Sequence, residues 1–114
     1  GGFTLKGATD KTFNWVNSTD AWTSSEHIDL ASGKEFRING VRQPQKVSSN
    51  VGDGSATAIA VTHNLGSDDV LVEVYDATSK ESVICDVDRT STNAVTLTFS
   101  TAPASNAYRV VIIG

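Results

Sequence analysis

Five short runs between Val51 and Gly114 decide the fold, namely AIAVTH (58–63), VLVEVY (70–75), VICDVD (83–88), VTLTF (95–99) and YRVVII (108–113). Apolar side chains alternate along each run, and a period of two is the signature of a β-strand. Polar turn segments separate the runs at a spacing of about 11–13 residues, which is typical of an antiparallel sandwich or barrel. Residues 51–114 are therefore predicted to form a small antiparallel β-sandwich.

The last run differs from the others because it is apolar on both faces from Val110 to Ile113. Such a strand is either central in its sheet or covered by another chain. A unit of this size has few layers of its own, so we favour coverage by another chain.

Composition supports an all-β chain. Val, Ile and Thr supply 32 of the 114 residues, whereas Leu supplies 5 and Met none. β-Branched residues fit a pleated, half-buried surface and lose rotamer freedom in helices. No apolar run is long enough for a membrane-spanning helix, so no membrane insertion is expected. The chain begins Gly-Gly-Phe without Met, which suggests a processed or cloned piece.

Residues 1–50 are predicted to form a separate β-rich, shaft-like or connector segment. Phe3 alternates with Leu5, and Phe13 with Trp15, as in strands. Residues 22–40 permit two interpretations: a short helix with a capping box at Thr23, or a hairpin pairing 27–30 with 35–38 around Ser32-Gly33. Both flanks alternate, so the hairpin is favoured. Residues 41–55 contain Pro, Gly and Ser-Ser-Asn and are predicted to be a linker, with the domain boundary near residue 50.

Charge is unevenly distributed along the chain. Residues 1–50 carry six Lys/Arg and five Asp/Glu, whereas residues 51–114 carry three and eight, within a total net charge of −4. Phosphate binding requires a positive face, so nucleic acid is not expected to be a partner. The single cysteine, Cys85, excludes an internal disulfide and any multi-cysteine metal site, and is expected to be a small buried apolar residue.

The candidate binding residues are Trp15 and Trp22. Aromatic side chains among Thr, Ser and Asn suit stacking on a sugar ring or burial between chains. The second is favoured, because the sparse apolar residues of 1–50 cannot bury them. Asn64 and Gly66 are interpreted as structural turn residues, and His63 as a structural histidine.

No cofactor, metal site or catalytic residue is predicted. The carboxylates Asp68-Asp69 and Asp86-x-Asp88 lack the spacing of a calcium loop. No nucleophile elbow accompanies the serines and histidines. The sequence therefore does not suggest an enzyme.

Two parts of the chain resemble a known family. LKGATDKTFNWVNSTDAWTSSEHIDLASGKEFRING (5–40) is similar to a segment of structural and tail-fibre-like proteins of tailed bacteriophages, particularly marine and cyanobacterial ones. VTHNLGSDDVLVEVYD (61–76) and PASNAYRVVIIG (103–114) resemble the C-terminal module of such proteins, and Asn64 and Gly66 match its turn phrase.

The resemblance implies a virion protein, often a homotrimer, whose end meets a bacterial surface glycan or protein. We therefore expect a trimeric, non-enzymatic fibre or adhesin end. The alternative is a virion structural or decoration module that binds other virion proteins. Aromatic residues are missing from the loops of 51–114, which weakens a sugar-binding role for that part.

Overall fold

A computed structural model describes all residues, 1–114, and confirms the all-β fold class. The chain contains eleven strands and divides into two compact units, Gly1–Arg37 and Ile38–Gly114. The division lies between residues 37 and 38 rather than near residue 50, where the sequence analysis placed it. No helix is present that is long and apolar enough to cross a membrane.

The first unit contains one antiparallel sheet of three strands in the order β1-β2-β3. These strands are β1 (Gly2–Leu5), β2 (Lys11–Val16) and β3 (Ala21–Ser24). Phe3 lies opposite Phe13, and Trp15 opposite Trp22, so the apolar positions of the three strands share one face.

Residues 22–40 form neither of the predicted structures. Residues 27–31 lie outside any strand, and a turn at Ser32-Gly33 holds only the hydrogen bond from the Lys34 N–H to the Ala31 carbonyl. The hairpin forms later, between β4 (Arg37–Ile38) and β5 (Val41–Arg42). Asn39 and Gly40 have φ of 51° and 78°, which is the backbone of a two-residue hairpin turn.

The second unit contains two three-stranded antiparallel sheets, in the orders β6-β11-β8 and β7-β10-β9. Their strands are β6 (Lys46–Val51), β7 (Ala58–Thr62), β8 (Leu71–Asp76), β9 (Asp86–Ser91), β10 (Ala94–Thr98) and β11 (Tyr108–Ile113). The inward residues of the central strands are fully buried, and they are Val95, Leu97, Val110 and Ile112. The two sheets thus form a sandwich around one core.

Three details of this sandwich differ from the predictions. Strand β6 occupies part of the predicted linker 41–55 and pairs along its whole length with β11. Strand β11 is therefore central in its own sheet, between β6 and β8, which is the alternative that had not been favoured. Strand β9 begins at Asp86, so residues 83–85 precede it, and Cys85 is partly exposed rather than buried.

The passage from β6 to β7 requires glycine at position 52. Gly52 has φ of 118°, and a Cβ there would lie 2.1 Å from the Ala104 carbonyl oxygen. The Gly52 carbonyl also accepts a hydrogen bond from the Asn106 N–H at 3.0 Å. This close approach joins the start of the sandwich to the loop before β11.

We expect Gly52→Ala to destabilise the second unit by about 2–4 kcal/mol, since it combines backbone strain with a steric clash. Gly54→Ala is the matched control, because Gly54 also has positive φ but open space around its Cβ position. Its expected cost is about 1 kcal/mol. Urea unfolding of both variants measures the difference, and equal losses would contradict the proposed clash.

Acid sensitivity is expected from Asp76 at the end of β8. Its carboxylate accepts hydrogen bonds from the Ser79 and Thr78 N–H groups, and these bonds hold the pKa of Asp76 below its ordinary value of 3.8. A depressed folded-state pKa means that this stabilisation is present above about pH 4 and is lost as pH falls through the lower folded pKa.

Asp76→Asn keeps an oxygen acceptor but has no charge to titrate. The free energy of unfolding of wild type should therefore exceed that of Asp76→Asn most clearly above pH 4, and the gap should shrink towards pH 2. Glu81→Gln is a control, because it removes an exposed acid whose side chain accepts none of these hydrogen bonds. Parallel curves for wild type and Asp76→Asn would refute the assignment.

Candidate binding surfaces

The first unit presents an aromatic face, which we define as Phe3, Phe13, Trp15 and Trp22. The antiparallel registers place all four side chains on the same side of the β1-β2-β3 sheet. The short polar turns between the strands fix these registers. Because side chains along a strand alternate between the two faces, the registers then place every second side chain on the same face. The structure thus brings together Trp15 and Trp22, the two candidate binding residues predicted from the sequence.

The aromatic rings are in direct contact across the strands. Phe3 stacks on Phe13 with ring centroids 5.6 Å apart, and Phe13 stacks on Trp22 at 5.5 Å with an interplanar angle of 7°. Trp15 meets Trp22 edge-on at 5.9 Å. These separations are those of favourable aromatic pairs. The result is a continuous row of rings that spans three strands.

The aromatic face is exposed to solvent. Phe3 is 67% exposed, Trp22 55% and Trp15 39%, and neighbouring Leu5 is also exposed. Only Trp15 has a polar anchor, since its indole N–H donates to the Asn17 side-chain oxygen at 3.2 Å. Large exposed apolar patches mark surfaces that meet a partner.

A groove of about 340 Å³ adjoins the rings. It is lined by Phe3, Leu5, Phe13 and the polar residues at the ends of the strands, Lys11, Thr12, Ser24 and Glu26. Lys11 and Glu26 form an ion pair at its rim. An apolar floor beside hydrogen-bonding groups is the usual lining of a ligand groove.

Phe3 and Phe13 were not among the predicted binding residues, although their alternation with Leu5 and Trp15 predicted strands. The signal that could have found them is register. Once β1 and β2 pair across Gly7, the two phenylalanines fall opposite each other and extend the tryptophan pair.

The predicted turn residues, Asn64 and Gly66, lie in the turn that follows β7. Asn64 and Gly66 have φ of 56° and 67°, in the left-handed region. The Gly66 N–H donates to the Asn93 side-chain oxygen at 2.9 Å. These contacts tie the turn after β7 to the turn between β9 and β10.

His63 is buried beside this turn. Its Nδ1 accepts a hydrogen bond from the Leu65 N–H at 3.0 Å, whereas its Nε2 has no hydrogen-bond partner. Neither Asp68-Asp69 nor Asp86 and Asp88 belongs to a group of three or more potential ligands that could hold a metal ion. For Cys85, partial burial raises the pKa of the thiol, and the nearby Asp86 raises it further.

A second exposed apolar patch lies on the outer face of the β6-β11-β8 sheet. Leu71 is 75% exposed and Ile113 44%, and Val111 lies beside them. Together with Glu73 and Arg89, these residues line a groove of about 470 Å³. Arg89 is held in place by donating to the carbonyls of Asp68 and Val70.

Comparison with protein-family models, curated proteins and solved structures gives no match for this chain.

The aromatic face should show measurable coupling between its rings. In a double-mutant cycle with Phe13→Leu and Trp22→Leu, we expect an interaction energy of about 0.5–1.5 kcal/mol. Either single substitution already removes the stacked pair, so the double variant loses less stability than the sum of the two single variants. Denaturation followed by the remaining tryptophan measures it. The cycle Phe13→Leu with Ile84→Ala is the control, since Ile84 is 99% exposed and belongs to the second unit. Additive Phe13 and Trp22 effects would contradict the stacking.

Proposed function

We propose that this protein is the non-enzymatic end of a tailed-bacteriophage fibre. In this proposal it is a homotrimer, located on the virion, that attaches the particle to a glycan or protein of the bacterial surface. It requires no cofactor, no nucleic acid and no membrane insertion. Support comes from the resemblance of residues 5–40, 61–76 and 103–114 to phage fibre-like proteins, and from the aromatic face.

The observation that carries the proposal is the row of stacked rings on one side of β1-β2-β3. The Phe3, Phe13 and Trp22 rings are nearly parallel and stacked, and the Trp15 ring meets Trp22 edge-on, so the four rings form one continuous apolar row. Flat apolar rings provide contact area at a low entropic cost, and they suit the apolar face of a sugar ring. The flanking Lys11, Ser24 and Glu26 supply hydrogen-bonding groups for the hydroxyls.

Trimerisation would compensate for weak individual sites. One shallow groove buries little of a ligand, so each site is expected to bind weakly. Tethering three copies on one particle raises the effective concentration of the second and third sites by orders of magnitude. Attachment can thus be firm without a deep pocket.

A virion structural or decoration module is the second candidate. The observation that favours it is the outer patch of Leu71, Val111 and Ile113, beside the charged side chains of Glu73 and Arg89. An apolar centre with a charged rim is the usual arrangement of a protein–protein contact. In this case the partner would be another virion protein.

The two tryptophans allow a direct test, because they are the only ones in the chain and both lie on the aromatic face. The full protein is titrated with soluble surface polysaccharides from marine and cyanobacterial strains, and its binding to the same cells is measured. We expect a saturable change in tryptophan emission. Trp22→Ala should weaken cell binding about tenfold or more, which corresponds to a loss of about 1.4 kcal/mol or more in the overall free energy of binding.

Two controls make this result specific. Trp22→Phe keeps a stacking ring and should retain most of the binding, and Leu71→Ser alters the outer patch and should leave cell binding unchanged. The proposal fails if the wild-type protein binds neither the polysaccharides nor the cells, which would favour the virion structural module. It also fails if Leu71→Ser, and not Trp22→Ala, abolishes cell binding, which would move the binding site to the outer patch. If Trp22→Ala instead converts a trimer into monomers, the aromatic face is an interchain core.

A further inference from the structure

The sandwich has four edge strands, and they are protected to different degrees. The edge of β8 is covered, since the returning chain bridges Tyr75 to Ser82 and the Val83 N–H donates to the Val74 carbonyl. The edge of β9 carries Asp86, Asp88 and Arg89 and has a register shift against β10. Covering, charges and irregular register are the devices by which proteins block edge-to-edge pairing.

The edges of β6 and β7 are less protected than those of β8 and β9. Strand β7 consists of AIAVT and has no charge, and β6 has a single charge, Lys46, at its first residue. No other strand or loop of the chain pairs with their outer sides. An uncharged, regular free edge is a template for another strand.

The hydrogen-bond pattern shows which backbone groups are free in β7. The His63 N–H donates to the Asn93 carbonyl, and the Phe99 N–H to the Thr57 carbonyl. Antiparallel pairs alternate, so the backbone groups of 57, 59, 61 and 63 point towards β10. Those of the intervening residues point away from the sheet, and they are Ala58, Ala60 and Thr62.

Strand β6 presents a matching set. Gln45 and Gly114 exchange both of their backbone hydrogen bonds, so residues 45, 47, 49 and 51 point towards β11. The backbone groups that point away belong to Lys46, Ser48 and Asn50. Each free edge therefore offers three residues in the same alternation.

Both edges border one open side of the sandwich. A groove of about 480 Å³ runs between β6 and β7, and its apolar lining includes Val51, Ile59 and Val61. Opposite it, Arg89 of β9 donates to the Asp68 and Val70 carbonyls next to β8, which links the two sheets there. Hydrogen bonds thus join the two sheets on the β8–β9 side of the sandwich, whereas a groove separates them on the β6–β7 side.

We propose that copies of this chain assemble by pairing the free edge of β7 in one copy with the free edge of β6 in the next. The inference rests on the homotrimer of the proposed function and names the surface that builds it. A β6–β7 contact joins two different edges, so three copies can close into a ring with no free β6 or β7 edge. A β7–β7 pair would stop at two copies and leave both β6 edges unpaired.

The side chains and charges fit this pairing. With Lys46 the only charged residue on the two strands, the approaching edges meet no like-charge repulsion. Val51 and Val61 of the groove are already buried, so the apolar gain is confined to the half-buried Ile59, and the assembly rests mainly on the new backbone hydrogen bonds between the two edges.

The test uses Ala60→Pro in the full chain. The Ala60 N–H points away from β10, so proline removes an edge donor and leaves the internal ladder intact. Ala60→Val is the matched control at the same position, since it keeps the N–H. Light scattering should give three times the chain mass of 12.0 kDa for wild type and Ala60→Val, and one chain mass for Ala60→Pro, with circular dichroism confirming that each is folded.

Hydrogen exchange of individual amides identifies the edges. In wild type we expect amides 46, 48, 50, 58 and 62 to exchange at least about tenfold more slowly than the same amides in Ala60→Pro. The amide of residue 60, which the proline variant lacks, should be protected in wild type as well. A dimer would overturn the ring: protection at 58, 60 and 62 alone would indicate a β7–β7 contact, and protection at all six amides would indicate a two-fold pair with two β6–β7 contacts.

Two further outcomes separate this inference from the proposed function. A trimer that persists in Ala60→Pro, with freely exchanging edge amides, would overturn the edge pairing and leave the trimeric adhesin standing. A monomeric wild type would overturn both the pairing and the trimer. Cell binding through the aromatic face is measured independently by the Trp22→Ala experiment.

Discussion

The sandwich depends on the packing of its two central strands against each other. Val95 and Leu97 of β10 and Val110 and Ile112 of β11 are completely buried. Each buried aliphatic side chain of this size contributes about 1.5–3 kcal/mol relative to an exposed one. A central strand also needs a neighbour on each side to satisfy its backbone, so β10 and β11 each require two partners. Burial of these four side chains therefore makes β10 and β11 central strands, and central strands require the flanking strands as hydrogen-bonding partners.

This constraint explains which strands could be predicted. VTLTF has an uninterrupted alternation because its polar residues face outward in the middle of a sheet, and it forms β10. Strand β6 was missed because its inward positions are Val47, Ser49 and Val51, and the serine interrupts the apolar period. Residues 46–51 form a strand because they pair with β11, and the local sequence pattern does not reveal this long-range pairing.

The error in residues 22–40 has a related cause. Ile28 and Leu30 alternate as a strand would, but no neighbouring strand pairs with them, and both are exposed. Alternation shows only that a segment could have a buried face. The Asn39-Gly40 turn fixes the local hairpin instead, because both residues have positive φ. Turn chemistry was the stronger signal here.

The candidate site could be predicted in part. Trp15 and Trp22 were identified from their polar surroundings, whereas Phe3 and Phe13 join them only through the antiparallel registers of β1, β2 and β3. The exposure of the two tryptophans agrees with the expectation that the sparse apolar residues of 1–50 cannot bury them within one chain.

The two units manage apolar surface differently. The sandwich buries most of its aliphatic residues between two sheets, although Leu71, Ile84 and Ile113 are exposed, and it leaves backbone groups unpaired at the edges of β6 and β7. The first unit has a single sheet, so no second layer of its own can cover the four rings. A single three-stranded sheet with an exposed aromatic face is marginal in water without a partner. The rings thus favour an interaction, and the neutral strand edges favour an assembly, on separate surfaces of the chain.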